Sequence, residues 1–236
     1  MKAIISGLCI FCTALTSFAS DYEPTEGWPY LYYDFIPAII YYHNMPAKSA
    51  DINVHLVNNT LHFINGENIL VVNNAQLIDS VVCENKTVLL RKGNLYVEKL
   101  TATEHVIIGR TCEADLEAMS NGNGAYGTTT STSATQNISS FRDHGNVAAH
   151  KYIDMKSERT NSRTLPTTIR TCFIVDNNIC HATKRGINSI LLRDEQKKFE
   201  AFLKANKIKW KDIESLKLVA DFLEKEVNHS SENTEE

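Results

Sequence analysis

The chain has 236 residues, 43% hydrophobic and 22% charged, a composition that fits a globular protein and excludes a disordered or fibrous one. Its formal net charge is -4 and its Lys and Arg form no cluster, so the basic face of a nucleic-acid binder is missing. No motif implies a cofactor, and no segment has the roughly 20 unbroken apolar residues of a transmembrane helix.

At the start, Lys2, the apolar run "AIISGLCIFCTAL" and the small residues of "TSFAS" form a secretory signal peptide over 1–19. Ser17 and Ala19 place the cut after Ala19. Cys9 and Cys12 follow Leu8 and Phe11, not the small residue a lipid-attachment motif wants. The expectation is an exported chain of roughly 217 residues (236 less 19), enough for one large or two small domains.

Residues 20–112 read as an antiparallel β domain. The opening "WPYLYYDF" concentrates Trp28, Tyr30, Tyr32, Tyr33 and Phe35. Such rings can bind a sugar or a partner through flat faces with polar tips. The plainer alternative is a first strand packed on the sheet. Then come short runs rich in Val, Ile, Leu and Tyr, from "AIIYYH" to "EHVIIG", with Asn and Gly between them where tight hairpins need positive φ. Alternation in "INVHLV" turns Ile52, Val54 and Leu56 to a core and leaves Asn53 and His55 for water. The fold class is mainly β with a small α part, the sheet forming a sandwich, roll or open barrel.

Residues 113–166 break the pattern and read as a low-complexity, disordered insert, with a short ordered piece around "NVAAHKYIDM". Its "SNGNGAYGTTTSTSATQNISS" has the glycines of a phosphate loop but no Lys between Gly122 and Lys151, so it is a tether with Tyr126 as an anchor. Residues 167–228 restore order. Two apolar runs flank "DNN" as a hairpin, and two amphipathic helices follow. Phe199, Phe202 and Leu203 mark the first helix and Asn206 its stop; Ile213, Leu216, Val219, Ala220, Phe222 and Leu223 mark the second. These helices form a hairpin that buries its stripes. Residues 229–236 are a solvated tail.

Four cysteines remain after signal removal, and an even number in an oxidising compartment suggests disulfides. The order of the parts favours Cys83 with Cys112 and Cys172 with Cys180; buried free thiols are the alternative. Cys180 and His181 are strand neighbours on opposite faces and cannot form a thiol–imidazole pair. His144 and His150 lack a metal-ligand spacing. Asn58, Asn85, Asn137 and Asn228 stand in Asn-x-Ser/Thr triplets, glycosylation candidates only in a eukaryote. No catalytic constellation is present, and no catalytic or metal-binding residue is assigned.

The opening "GWPYLYYDF", the insert "GAYGTTTSTSAT" and the ending "KKFEAFLKANKIKWKDIESLKLVADFLE" together resemble a family of uncharacterised exported proteins of Bacteroidetes. The resemblance implies a periplasmic or outer-envelope address in a Gram-negative bacterium and no activity. The expected function is a non-enzymatic envelope module that binds a protein or a surface glycan. The alternatives are a secreted hydrolase with dispersed carboxylates and a metal or small-ligand carrier.

Overall fold

The computed structural model describes residues 22–121 and 150–232. The expected signal peptide, Tyr126, Asn137 and His144 lie outside these residues.

The strands are β1 (Ile36–Tyr42), β2 (Met45–His55), β3 (Thr60–Asn65), β4 (Asn68–Val71), β5 (Ile78–Cys83), β6 (Val88–Lys92), β7 (Leu95–Ala102), β8 (Val106–Ala114), β9 (His150–Lys151), β10 (Thr167–Val175) and β11 (Asn178–His181). All join one antiparallel sheet in the order β11-β10-β8-β7-β6-β5-β1-β2-β3-β4-β9. Its ends do not pair, so the sheet is open. The expected hairpins are present. Asn44 bends the β1–β2 turn at φ 60°, Gly66 and Gly93 supply φ 62° and 60° for the next tight turns, and Asp176 and Asn177 both take positive φ between β10 and β11. Two successive positive-φ residues match the twist of the flanking strands.

The sheet carries the chain from the β domain into the C-terminal part without a break, because β10 pairs with β8 over its whole length, from Thr167 opposite Ala114 to Val175 opposite Val106. Helices α1 (Leu116–Asn121) and α2 (Tyr152–Glu158) lie between them in sequence, followed after β11 by α3 (Lys184–Asn188), α4 (Arg193–Ala205) and α5 (Ile213–Glu232). The segment expected to be a disordered insert is therefore packed at both ends: Met119, Met155 and Leu165 are buried. Helix α5 likewise runs to Glu232, past the expected boundary.

Alternation gives the sheet an inner and an outer face. At the β8–β10 end, Val106, Ile108, Phe173 and Val175 form the inner face, covered by Phe199 of α4 and by Leu216, Val219 and Leu223 of α5. The two helices pack as the expected hairpin: Phe202 stacks on Phe222 at 4.9 Å, and Lys198 reaches Glu226 at 2.7 Å.

The outer face at the β2–β4 end is also covered, which corrects the expected water-facing positions. Asn53 and His55 are 0% exposed. The aromatic opening lies over them: the Leu31 N–H donates to the Val54 carbonyl at 2.9 Å, and the Leu56 N–H to the Pro29 carbonyl at 2.8 Å. Asn53 pins that segment, with its Oδ1 accepting from the Tyr32 N–H at 3.0 Å and its Nδ2 donating to the Tyr32 carbonyl at 2.8 Å. Tyr30 Oη bonds His62 Nδ1 at 2.9 Å, and the His55 and His62 rings stack at 5.1 Å. Helix α2 closes the layer. Met155 joins Trp28, Tyr30, Phe35 and Ile69 in one apolar cluster, while Lys156 and Arg159 meet Asp34 at 2.8 and 3.2 Å.

Candidate functional site

The sheet rolls. In strand order β8 stands five steps from β2, yet the Ala114 N–H reaches the Leu56 carbonyl at 3.3 Å. The inner face between them encloses a hollow of about 530 Å³, walled by Tyr32, Leu56, Tyr96, Glu98, Arg110 and Ile169 among others. That volume is in the range that takes small molecules or single side chains.

The walls are mostly apolar, with a few polar groups turned inward. Glu98 Oε2 accepts from Arg110 Nε at 2.9 Å and from Nη2 at 2.8 Å, a side-on pair across β7 and β8. Burial raises the Glu98 pKa above the ordinary carboxylate value, against the hydrogen bond and charge of Arg110. The Tyr32 hydroxyl is buried with no oxygen or nitrogen partner among the described residues; the Cys83 thiol beside it is a weak one. Burial pushes this phenol far above its usual range, so it stays neutral and can donate or accept.

A second hollow of about 680 Å³ lies on the inner face of β1–β4, against Tyr42, Lys48, Phe63 and Leu70. None of the buried hydrogen-bonding atoms left without a described partner lines it. The polar chemistry is in the first hollow.

The Glu98 shift has a consequence for pH. The folded chain takes up this proton at a higher pH than the unfolded chain does. Lowering the pH through the raised value therefore favours folding through this group, and the gain is complete below the ordinary carboxylate pKa. Glu98→Gln is expected to remove that acid-side gain, which urea unfolding of both proteins between pH 7 and pH 4 measures.

The expected site residues separate. Trp28, Tyr30 and Phe35 are core, at 0%, 1% and 8% exposure. Tyr33 is half exposed beneath the Arg159 guanidinium, 3.4 Å from its ring centre. Tyr32 and Tyr33 both line the hollow, and the Tyr32 hydroxyl is the one buried there with no oxygen or nitrogen partner among the described residues. Glu98 and Arg110 were not among the expected residues. Their signal was parity, since Tyr96 and Glu98 stand on the core-facing side of β7, where a charge is unusual.

The four cysteines are free, which corrects both expected disulfides. Cys172 stands opposite His181, and Phe173 opposite Cys180, so Cys172 and Cys180 point to opposite faces. Cys83 and Cys112 lie on β5 and β8 with two strands between them. Burial pushes the thiols of Cys83, Cys112 and Cys180 up to about 11 and that of Cys172 to about 12, so all four are protonated at neutral pH.

Glu104, His105 and Glu224 bring ligand atoms within 4.8 Å of one another. Glu224 is already engaged: it accepts from the Thr103 hydroxyl and from the His105 N–H at 3.0 Å, fastening α5 to the β7–β8 turn.

No family model, curated protein or solved structure matches this chain.

Proposed function

We propose that the protein is an exported, non-enzymatic binding protein whose site is the hollow of the rolled sheet. The observation that carries this reading is the Tyr32 hydroxyl, buried in the wall without an oxygen or nitrogen partner among the described residues. Leaving such a group unpaired costs about 1–3 kcal/mol, which a bound group can recover. Apolar walls with few convergent polar atoms suit binding. The chemistry inside favours binding over catalysis. Cys112 carries a protonated thiol, and Glu98 is tied to Arg110. The export rests on the signal peptide, and the envelope of a Gram-negative bacterium is the setting the family resemblance implies.

Methyl NMR of the full chain against aromatic, aliphatic and sugar fragments tests the site. Hydrogen-bonding fragments are expected to shift the methyls of Val54, Leu89 and Ile169, and to bind Tyr32→Phe at least threefold more weakly. Apolar fragments are expected to bind both proteins alike. If no fragment at millimolar concentration moves those methyls, the reading fails.

A further inference from the structure

We infer that the occupant of this site is an extended peptide from another protein, added as a strand along the free edge of β10. The inference rests on the hollow being the binding site and names what enters it.

The edge is identified by where β10 sends its backbone groups. In an antiparallel ladder, successive residues direct their N–H and C=O alternately to the two sides. The Pro166 carbonyl accepts from the Asp115 N–H at 2.8 Å, on the β8 side. The Thr171 carbonyl accepts from the Ala182 N–H at 2.9 Å, on the opposite side. The β8–β10 register is unbroken from Thr167 to Val175. Thr167 and Ile169 therefore direct their N–H and C=O away from β8, as Thr171 does.

Both ends of that side are taken by the chain itself. Beyond Thr171 stands β11, whose pairing with β10 begins at Cys172. Before Thr167, the Leu165 N–H donates to the Pro24 carbonyl at 2.8 Å, and Thr25 bridges Thr164 in antiparallel sense. Between these two pairings, no described group meets the outward N–H and C=O of Thr167 and Ile169. Exposed strand edges of this kind template the pairing of another backbone. The repeat of a donor and an acceptor on every second residue is matched by an extended peptide and not by a sugar.

The side chains supply the second observation. Thr167 and Ile169 belong to the wall of the hollow, and Ile169 is 57% exposed at its rim. A strand added here shares that inner face. Every second side chain of the peptide lies beside Ile169, where an apolar or aromatic group can enter the hollow toward Tyr32. Main-chain pairing then gives affinity, and the hollow gives selectivity.

The test selects linear dodecamers from a displayed random library against the full chain. It compares the selected peptides on wild-type protein and on Ile169→Pro, which deletes the outward N–H and leaves the β8 ladder intact. Micromolar peptides are expected, at least tenfold weaker on Ile169→Pro than on the wild-type protein. N-methylation of alternate peptide residues is expected to abolish binding to the unaltered protein, a result that does not depend on the variant folding. Equal affinity for Ile169→Pro and tolerance of N-methylation would overturn strand addition. So would an Ile169 amide already protected from hydrogen exchange in the free protein. If fragments still fill the hollow while no peptide is selected, strand addition is overturned and the binding site stands. Failure of both probes removes both.

Discussion

Trp28→Ala is expected to lower the unfolding free energy by about 3–5 kcal/mol, roughly a fifth or more of the stability of an ordinary domain. The indole is 0% exposed and contacts the rings of Tyr30 at 4.9 Å, Phe35 at 6.0 Å and Tyr152 at 6.1 Å. Its Nε1 donates to the Tyr32 carbonyl at 3.2 Å. The loss goes beyond a cavity, because this ring belongs to the layer that keeps water from Asn53, His55 and His62. The same change loosens the segment that places Tyr32 in the hollow. Urea unfolding measures the first effect. A fall in fragment affinity, with Tyr32 itself unaltered, measures the second. A loss below 1 kcal/mol would mean that the aromatic opening does not hold the outer layer.

Phe199→Ala is expected to cost a similar 3–5 kcal/mol, at the other end of the molecule. Phe199 is 0% exposed and is the α4 ring that reaches the inner face of β8 and β10. It lies 5.3 Å from Phe222 and 6.2 Å from Phe202, and such ring pairs add about 0.5–1.5 kcal/mol beyond the area they bury. The two sites share no described partner, so the double variant is expected to lose close to the sum. Fragment binding should survive Phe199→Ala wherever the protein stays folded, because this side chain does not line the hollow.

Much of the fold is legible in the sequence, and the gaps have physical causes. Alternation places the strands: "IDSVVC" coincides with β5, and the two helical stripes with α4 and α5. Periodicity tells which residues share a face; it does not tell what covers the other face. Asn53 and His55 look solvent-facing by pattern, but the layer over them comes from Trp28 and Tyr30 upstream and from Met155 far downstream. The hairpin itself excludes a Cys172–Cys180 pair. A two-residue turn at Asp176–Asn177 pairs position 172 with 181, which puts Cys180 on the other face. The hollow was not legible. Tyr96 and Glu98 show the parity of interior residues, but only the roll that brings Ala114 to Leu56 gathers them around one space.

The strand order also sets how the chain assembles. Seven of the ten pairings join strands adjacent in sequence, in the runs β1–β4, β5–β8 and β10–β11. Each run can zip locally through its own turns, within microseconds for a single hairpin. Only β1 with β5, β8 with β10 and β4 with β9 require distant segments to meet. The search for β8 by β10 spans residues 115 to 166, and doubling such a loop adds only about 0.6 kcal/mol of closure entropy. The part of that stretch between α1 and β9 can therefore change in length with little effect on whether the sheet completes, while the meanders on either side cannot.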